Sequence, residues 1–233
     1  SLLSIEQVLA TLGGLFIASE EVTPQEFSAY VARIIAKRDG VSGFSWNRVV
    51  TAAERDSFEQ EMREKGYESF RIREVVKGGS IDAPRRDKHV VITYIEPWEE
   101  GKLIHGVDAS ADPQRNEAIL RAENSGQFAV TGPLQLFQDS SFTPAVIAFY
   151  PVYSLAQLAA GHRNASLVGY ATAIVRNNEL INATLRPFTS ADYHLVITDV
   201  TDPADPIIFF TQQQVVTPAH AQGLVLLDDI VFG

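Results

Sequence analysis

The sequence predicts an α+β fold, in which helices pack on antiparallel β-sheets. Apolar residues recur at helical spacing between residues 2 and 16. Runs rich in β-branched and aromatic residues, which are typical of strands, occupy residues 41–50, 90–95 and 145–153. A helix with clear start and stop signals lies between the second and third of these runs, at residues 112–126. Helices and strands that alternate along one chain in this way indicate the α+β class.

The composition excludes several classes of function. The 233 residues suffice for one large or two small domains. A net charge of −10 without a basic cluster disfavours binding to nucleic acid or to an anionic membrane surface. Cysteine is absent, which excludes disulfides, thiolate catalysis and cysteine metal sites. No signal peptide opens the chain, and no apolar run reaches the ~18 residues of a membrane span.

Two helices are predicted at the N-terminus. We expect the first, residues 1–20, to be a helix whose apolar face serves as core or as a dimer seam. The second begins at a capping box, in which the Glu26 carboxylate reaches back to the Thr23 N–H, and extends to about Lys37.

The next segment alternates strands with polar elements. In order, we predict a strand, a highly charged helix, a second strand and a solvated loop, at residues 41–50, 51–65, 70–75 and 77–88. Thr51 and Glu54 form a second capping box, and Gly66 ends the charged helix. Opposite charges four residues apart on this helix, such as Glu61 and Lys65, are expected to form surface pairs rather than a binding site.

The helix at residues 112–126 carries one unusual charge. Asp112 can cap it, Pro113 suits its first position, and Gly126 suits the left-handed residue that ends it. The apolar stripe of this helix comprises Ala118, Ile119 and Ala122. Arg115 lies three, four and seven residues before them, so it shares their inward face. A cation in the first turn opposes the helix dipole and needs an anionic partner. That partner is either Asp108 or Asp112, which would only shape the loop, or an anionic group of a ligand.

The C-terminal part is rich in strands. We predict strands at residues 128–132, 145–153, 166–175, 193–200, 206–212 and 223–232, with a short helix at residues 178–185. None of the five histidines has metal-ligand spacing, and no Walker loop, H-E-x-x-H or G-x-S-x-G motif is present. We therefore predict neither a catalytic site, a metal site nor a cofactor.

An ordered set of residues across positions 45–155 resembles the CHASE domain, the extracytoplasmic sensory module of histidine kinases, nucleotide cyclases and plant cytokinin receptors. The set includes Tyr94, Glu96, Pro97, Gly106, Asp108, Pro113, Arg115, Ala118, Ala122, Gly126, Thr131, Pro133, Leu136 and Tyr150 to Tyr153. The resemblance implies a stalk helix followed by two PAS-like α/β subdomains, with two flanking transmembrane helices that the sequence does not include. The expected boundaries are 1–40 for the stalk and N-terminal helices, 41–157 for the membrane-distal subdomain that binds ligand, and 158–233 for the membrane-proximal one.

The resemblance also assigns candidate ligand-binding residues. In the plant receptors an aspartate at the start of this helix contacts the cytokinin purine, and Arg115 occupies that position here. Exchanging an anion for a cation argues against the same recognition of a purine. Two other pocket positions fall on Phe137 and Phe149, and Thr131 keeps the family threonine. Leu103 and Asp108 complete the predicted site.

The expected function is therefore that of a periplasmic sensor without catalytic activity. It would bind a small, anionic or polar molecule, dimerise through the stalk helix and signal through the membrane to a cytoplasmic kinase or cyclase. The alternative is a periplasmic interaction or dimerisation module that binds no small molecule.

Overall fold

The computed structural model describes residues 2–19, 21–35, 40–136, 145–154, 167–176, 194–199 and 207–213. Its helices are α1 Leu2–Ala18, α2 Pro24–Ile35, α3 Arg55–Glu64, α4 Trp98–Gly101 and α5 Pro113–Ser125. Its strands are β1 Val41–Thr51, β2 Arg73–Val76, β3 Gly79–Asp82, β4 Lys88–Glu96, β5 Ala129–Val130, β6 Ala145–Tyr153, β7 Leu167–Arg176, β8 His194–Asp199 and β9 Ile207–Gln213. Two short 3₁₀ turns, Lys102–Ile104 and Ala109–Ala111, precede α5. The chain divides into two compact units, Ser1–Ala183 and Thr184–Gly233.

The first unit is built on a five-stranded sheet in the order β4-β1-β7-β6-β5, with every neighbouring pair antiparallel. One row of paired residues crosses all five strands: Ile95, Ser45, Thr172, Phe149 and Ala129. In the second unit, β8 and β9 form an antiparallel hairpin. Helices together with antiparallel sheets confirm the α+β class.

Helix α1 covers one face of the sheet. It packs on β6 and β7, and the buried side chains of its apolar stripe are Ile5, Leu9 and Leu12. Near its C-terminal end the Phe16 ring stacks on Trp46 of β1 at a centroid distance of 3.8 Å. The apolar face predicted for the stalk helix is thus occupied by this chain's own sheet. Dimerisation through α1 stays a prediction, and it would have to use another side of the helix.

Helix α5 lies on the opposite face, where it packs on β5 and β6. Its caps are the predicted ones, because Asp112 Oδ1 accepts the Arg115 N–H at 3.0 Å and Gly126 is left-handed at φ 69°. The inward stripe is also confirmed, since Ala118, Ile119 and Ala122 are at most 1% exposed.

The two other capping interactions are present, with one shift in boundary. Glu26 Oε2 accepts the Thr23 N–H at 2.9 Å, as predicted for the start of α2. Glu54 Oε2 accepts the Thr51 N–H at 3.0 Å, but residues 52–54 form a turn and α3 begins only at Arg55. The capping box therefore closes this turn instead of opening the helix.

The prediction of a loop at residues 77–88 was partly wrong, because the range contains β3. Strands β2 and β3 form a hairpin joined by Lys77 and Gly78, and Gly78 has the positive φ of 90° that such a two-residue turn requires. All four residues of β3 are exposed. A strand without a buried face shows no apolar alternation, so the sequence pattern could not reveal it.

The predicted domain boundary also differs from the structure. Strand β7 lies between β1 and β6 in the first sheet, and the division between units falls after Ala183. The first unit therefore continues beyond residue 157, where we expected it to end. The predicted helix at residues 178–185 and strand at residues 223–232 lie outside the described residues.

Candidate functional site

A small cavity lies between the sheet and the segment that carries α5. Its wall is mostly apolar and includes Ile92, Ile95, Ile104, Val107, Ala109, Leu136, Ile147, Phe149 and Ile174. Four polar side chains complete it: Ser45, Asn47, Arg115 and Thr172. Its volume is about 30 Å³, enough for one or two water molecules. Any larger ligand requires the wall to move.

Arg115 brings a positive charge into this cavity from the first turn of α5. Only 5% of the residue is exposed, and its Nη1 lies 3.2 Å from Asp112 Oδ2. Burial lowers the pKa of Arg115, an effect that the Asp112 charge opposes. The guanidinium stays protonated even so, because arginine is not deprotonated in proteins. The side chain of Asp112 is 27% exposed, so part of its charge is screened by solvent.

Of the two aspartates that the sequence left open as partners, Asp112 and not Asp108 pairs with Arg115. The same carboxylate caps the helix backbone through Oδ1 and meets the guanidinium through Oδ2. A guanidinium has five N–H donors in a planar fork. A ligand carboxylate can therefore join Asp112 on this cation or displace it.

The sheet contributes a polar floor that the sequence analysis missed. Ser45, Asn47 and Thr172 are 2–3% exposed. Ser45 Oγ donates to Asn47 Oδ1 at 2.9 Å, and Thr172 is the cross-strand neighbour of Ser45. Among the residues that the structure describes, Thr172 Oγ1 has no hydrogen-bond partner. The sequence signal was the alternation in Phe44-Ser-Trp-Asn47, whose polar side would ordinarily face solvent.

Phe149 lies on β6 and Thr131 directly follows β5, but only Phe149 lines the cavity. Phe149 is 1% exposed, forms part of the wall and meets Tyr170 edge to face at 6.0 Å. Thr131 does not line the cavity. Its Oγ1 accepts the Ile147 N–H at 3.0 Å, and its own N–H donates to the Ile147 carbonyl at 2.9 Å. Thr131 therefore fixes the position of β6 and, through it, of the cavity wall.

Asp108 and Leu103 do not line this cavity, so their part in ligand binding stays a prediction. Asp108 is 1% exposed, but its carboxylate is engaged by neighbouring protein groups, among them the Val90 N–H at 3.0 Å and His89 Nδ1 at 2.8 Å. Leu103 is 67% exposed, because the 3₁₀ turn that carries it directs the side chain to solvent. Phe137 lies outside the described residues.

Two kinds of feature are absent from the described ranges. No group of three or more histidine, aspartate or glutamate side chains there is arranged to hold a metal ion. No helix in those ranges is both long and apolar enough to cross a membrane.

Comparison with known proteins agrees with the resemblance seen in the sequence. The family model of the CHASE domain matches residues 20–210. The chain is also 26% identical over 207 residues to a protein of Oryza sativa subsp. japonica named "Probable histidine kinase 4", an alignment that covers 85% of this chain. It spans only 19% of that relative's length. CHASE domains are extracytoplasmic sensor domains of membrane receptors and have no catalytic activity of their own, and this chain belongs to the CHASE domain family.

Proposed function

We propose that this domain binds a small anionic or polar molecule in the cavity between the sheet and α5. The observation that carries the proposal is the buried Arg115 in the wall of an otherwise mostly apolar cavity. A ligand acid group would meet the guanidinium, while Phe149 and its aliphatic neighbours enclose the rest of the molecule. Thr131 would act indirectly, by holding the strand that carries Phe149.

Electrostatics favour an anion at this position. The first turn of α5 already bears the positive end of the helix dipole, and Arg115 adds a full positive charge there. The Asp112 carboxylate is partly solvated, which weakens its own interaction with the guanidinium. In a site of low dielectric constant, a ligand carboxylate can gain two parallel hydrogen bonds to the guanidinium. A purine offers no such acid group, which is why we expect a ligand different from a cytokinin.

We infer that the first unit is the PAS-like, membrane-distal part of an extracytoplasmic receptor. Numbered within the sheet alone, its strands follow the order 2-1-5-4-3, which supports a PAS-like arrangement. The similarity to a histidine kinase supports a cytoplasmic kinase as the output, and a diguanylate cyclase is the other candidate. Transmembrane helices on either side would tether the domain, and a homodimer would pair two such receptors.

Strand β1 offers a route for the signal. Ser45 and Asn47 face the cavity, whereas Trp46 faces the other side of the sheet and stacks on Phe16 of α1. Strand β4 is arranged similarly, because Ile95 lines the cavity and the neighbouring Tyr94 hydroxyl donates to the Val22 carbonyl at 2.9 Å. A ligand that binds one arrangement of these strands better than another would shift the position of α1.

The test is a thermal-shift screen of the domain against small carboxylates, amino acids, purines and cytokinins. A compound that binds only the folded state raises the midpoint, by the equivalent of about 2.7 kcal/mol at a hundredfold excess over Kd. We expect carboxylates to raise it, and the Arg115→Ala variant to lose that shift. Arg121→Ala is the matched control, since Arg121 lies on the same helix with its side chain 48% exposed. If the Arg115→Ala variant still bound carboxylates normally, Arg115 would not be the residue that binds the acid group.

The small size of the cavity favours a second candidate function. At about 30 Å³ the cavity has little room unless the wall opens, so the domain could act instead as a periplasmic interaction or dimerisation module. That function predicts no shift with any compound of the panel and a concentration-dependent dimer in sedimentation velocity. A carboxylate shift that depends on Arg115 would exclude it as the sole function.

A further inference from the structure

Thr172 buries a hydroxyl group at the centre of the sheet without satisfying it. The residue is 2% exposed, lines the cavity and lies on β7, which is the middle strand. Its Oγ1 has no hydrogen-bond partner within the described part of the chain. A buried hydroxyl without a partner destabilises the folded state, because it loses the hydrogen bonds that water gives it in the unfolded chain. Valine would fill nearly the same volume without that cost.

The neighbouring polar groups are arranged beside this hydroxyl. Ser45 is paired with Thr172 across β1 and β7, and Ser45 Oγ donates to Asn47 Oδ1 at 2.9 Å. This bond fixes the orientation of the Asn47 amide, whose carbonyl oxygen is engaged and whose NH₂ group carries two donors. The floor of the cavity thus presents a hydroxyl that both donates and accepts, next to an oriented amide.

These groups share one small cavity with a cation on the opposite wall. Arg115 enters from α5, whereas Ser45, Asn47 and Thr172 belong to the sheet. A molecule that satisfies both walls needs an acid group at one end and a hydrogen-bonding group close to it. At about 30 Å³ the cavity must widen even for a small organic acid, and a compact molecule requires the least movement of the wall.

We propose that Thr172 and Asn47 determine ligand specificity by binding a hydroxyl group, so that the ligand class is short-chain hydroxy acids. This inference rests on the proposed function, because it assumes that Arg115 holds the acid group. It goes further by assigning the second recognition element to the sheet. Thr172 would donate to, or accept from, the ligand hydroxyl, and Asn47 would donate to the same oxygen.

The test compares matched acids with and without a hydroxyl group. Isothermal titration of the domain with L-lactate and propionate, and with glycolate and acetate, measures the preference directly. We expect the hydroxy acid of each pair to bind about tenfold more tightly, the factor that one hydrogen bond supplies. In Thr172→Val both acids should bind with the weaker affinity. In Arg115→Ala neither acid should bind.

The outcomes separate this inference from the proposed function. Equal affinity for both members of a pair would overturn the role of Thr172, while the loss of both in Arg115→Ala would still support an anion sensor. Binding of neither pair would overturn the hydroxy-acid class, and the wider panel would then decide the proposed function. A preference that persists in Thr172→Val would also overturn the assignment.

A stability measurement provides a readout that needs no ligand. Thr172→Val should raise the midpoint of the empty domain, since it removes an unsatisfied buried hydroxyl. Thr93→Val is the matched control and should lower it, because Thr93 is similarly buried, at 3% exposure, but its Oγ1 donates to the Val91 carbonyl at 3.0 Å. A lower midpoint in Thr172→Val would show that the hydroxyl is already satisfied, by the protein or by a water molecule in the cavity, and would overturn the premise of the proposal.

Discussion

Replacing Asp108 by asparagine should destabilise the domain without changing the affinity of the folded form for a ligand. The resemblance to the CHASE domain assigned Asp108 to the ligand site, but in the structure its buried carboxylate holds protein groups together. Its Oδ1 accepts the Val90 N–H at 3.0 Å, the Ser110 N–H at 3.0 Å and the Ser110 hydroxyl at 2.6 Å. Its Oδ2 lies 2.8 Å from His89 Nδ1 and 3.3 Å from Arg86 Nη1.

The expected loss in the free energy of unfolding depends on which of these contacts asparagine can keep. Its single oxygen can replace Oδ1, so the contacts to Val90 and Ser110 survive. Its NH₂ group would then face the nitrogens of His89 and Arg86. Hydrogen bonds to a charged group contribute about 1.5–3 kcal/mol each, and the Arg86 contact counts for less because that side chain is 39% exposed. We therefore expect the free energy of unfolding to fall by about 2–4 kcal/mol.

The same contacts make this effect depend on pH. Burial by itself raises the pKa of Asp108, but the hydrogen bonds from His89, Ser110 and Val90 outweigh burial and hold the pKa below its ordinary value. The stabilisation is fully present above the unfolded pKa of about 3.9 and disappears as the pH falls through the folded value. The difference between the wild type and Asp108→Asn should therefore be largest near neutral pH and shrink in acid.

Urea unfolding followed by tryptophan fluorescence measures this difference. Asp82→Asn is the control, since the Asp82 side chain is 65% exposed and its ion pair with Arg71 lies at the surface; it should change stability by less than about 0.5 kcal/mol. A loss below about 1 kcal/mol in Asp108→Asn would refute the structural role. If Asp108→Asn had normal stability but no longer bound carboxylates, Asp108 would be a ligand-binding residue as the sequence predicted.

Two further predictions concern histidine titration and helix packing. Burial lowers the pKa of His105 to about 4. The free energy of unfolding should therefore not depend on His105 titration above pH ~6.5, and it should fall by about 3 kcal/mol as the pH decreases to ~4. His105→Phe should remove that part of the pH dependence of urea unfolding. In α1, Gly13→Ala should destabilise by about 1–3 kcal/mol, because the new Cβ would lie 2.7 Å from Val152 Cγ2. Gly14→Ala should instead stabilise by about 1 kcal/mol, since nothing lies within 4 Å of the added methyl. Thermal midpoints that move the same way in both glycine variants would contradict the packing of α1 on β6.

The sequence predicted the elements whose signals are local. The caps of α5 depend on residues 112–126 alone, and the capping box at Thr23 depends on four consecutive residues, so both could be recognised without the fold. The inward position of Arg115 followed from helical periodicity in the same way. Strand β6 was predicted with its observed limits because its apolar run is long and is bounded by Pro144 and Ser154.

Predictions that depended on distant contacts were less successful. The sequence left Asp108 and Asp112 as alternative partners of Arg115, and only the distances choose Asp112. Strand β7 was assigned to the second subdomain, because nothing within the strand shows that it pairs with β1 and β6. Leu103 was placed in the cavity wall, but a 3₁₀ turn that has no sequence signature points it to solvent.

The sequence by itself therefore determined the α+β class, the position and caps of α5, the inward face of Arg115 and the membership of the CHASE family. Only the tertiary structure decided that Ser45, Asn47 and Thr172 form the floor of the cavity. The physical reason is that a polar residue in a strand is compatible with either face, and alternation cannot distinguish solvent from a buried cavity. The sheet order places these three residues opposite Arg115, and that order is set by pairing between segments more than a hundred residues apart.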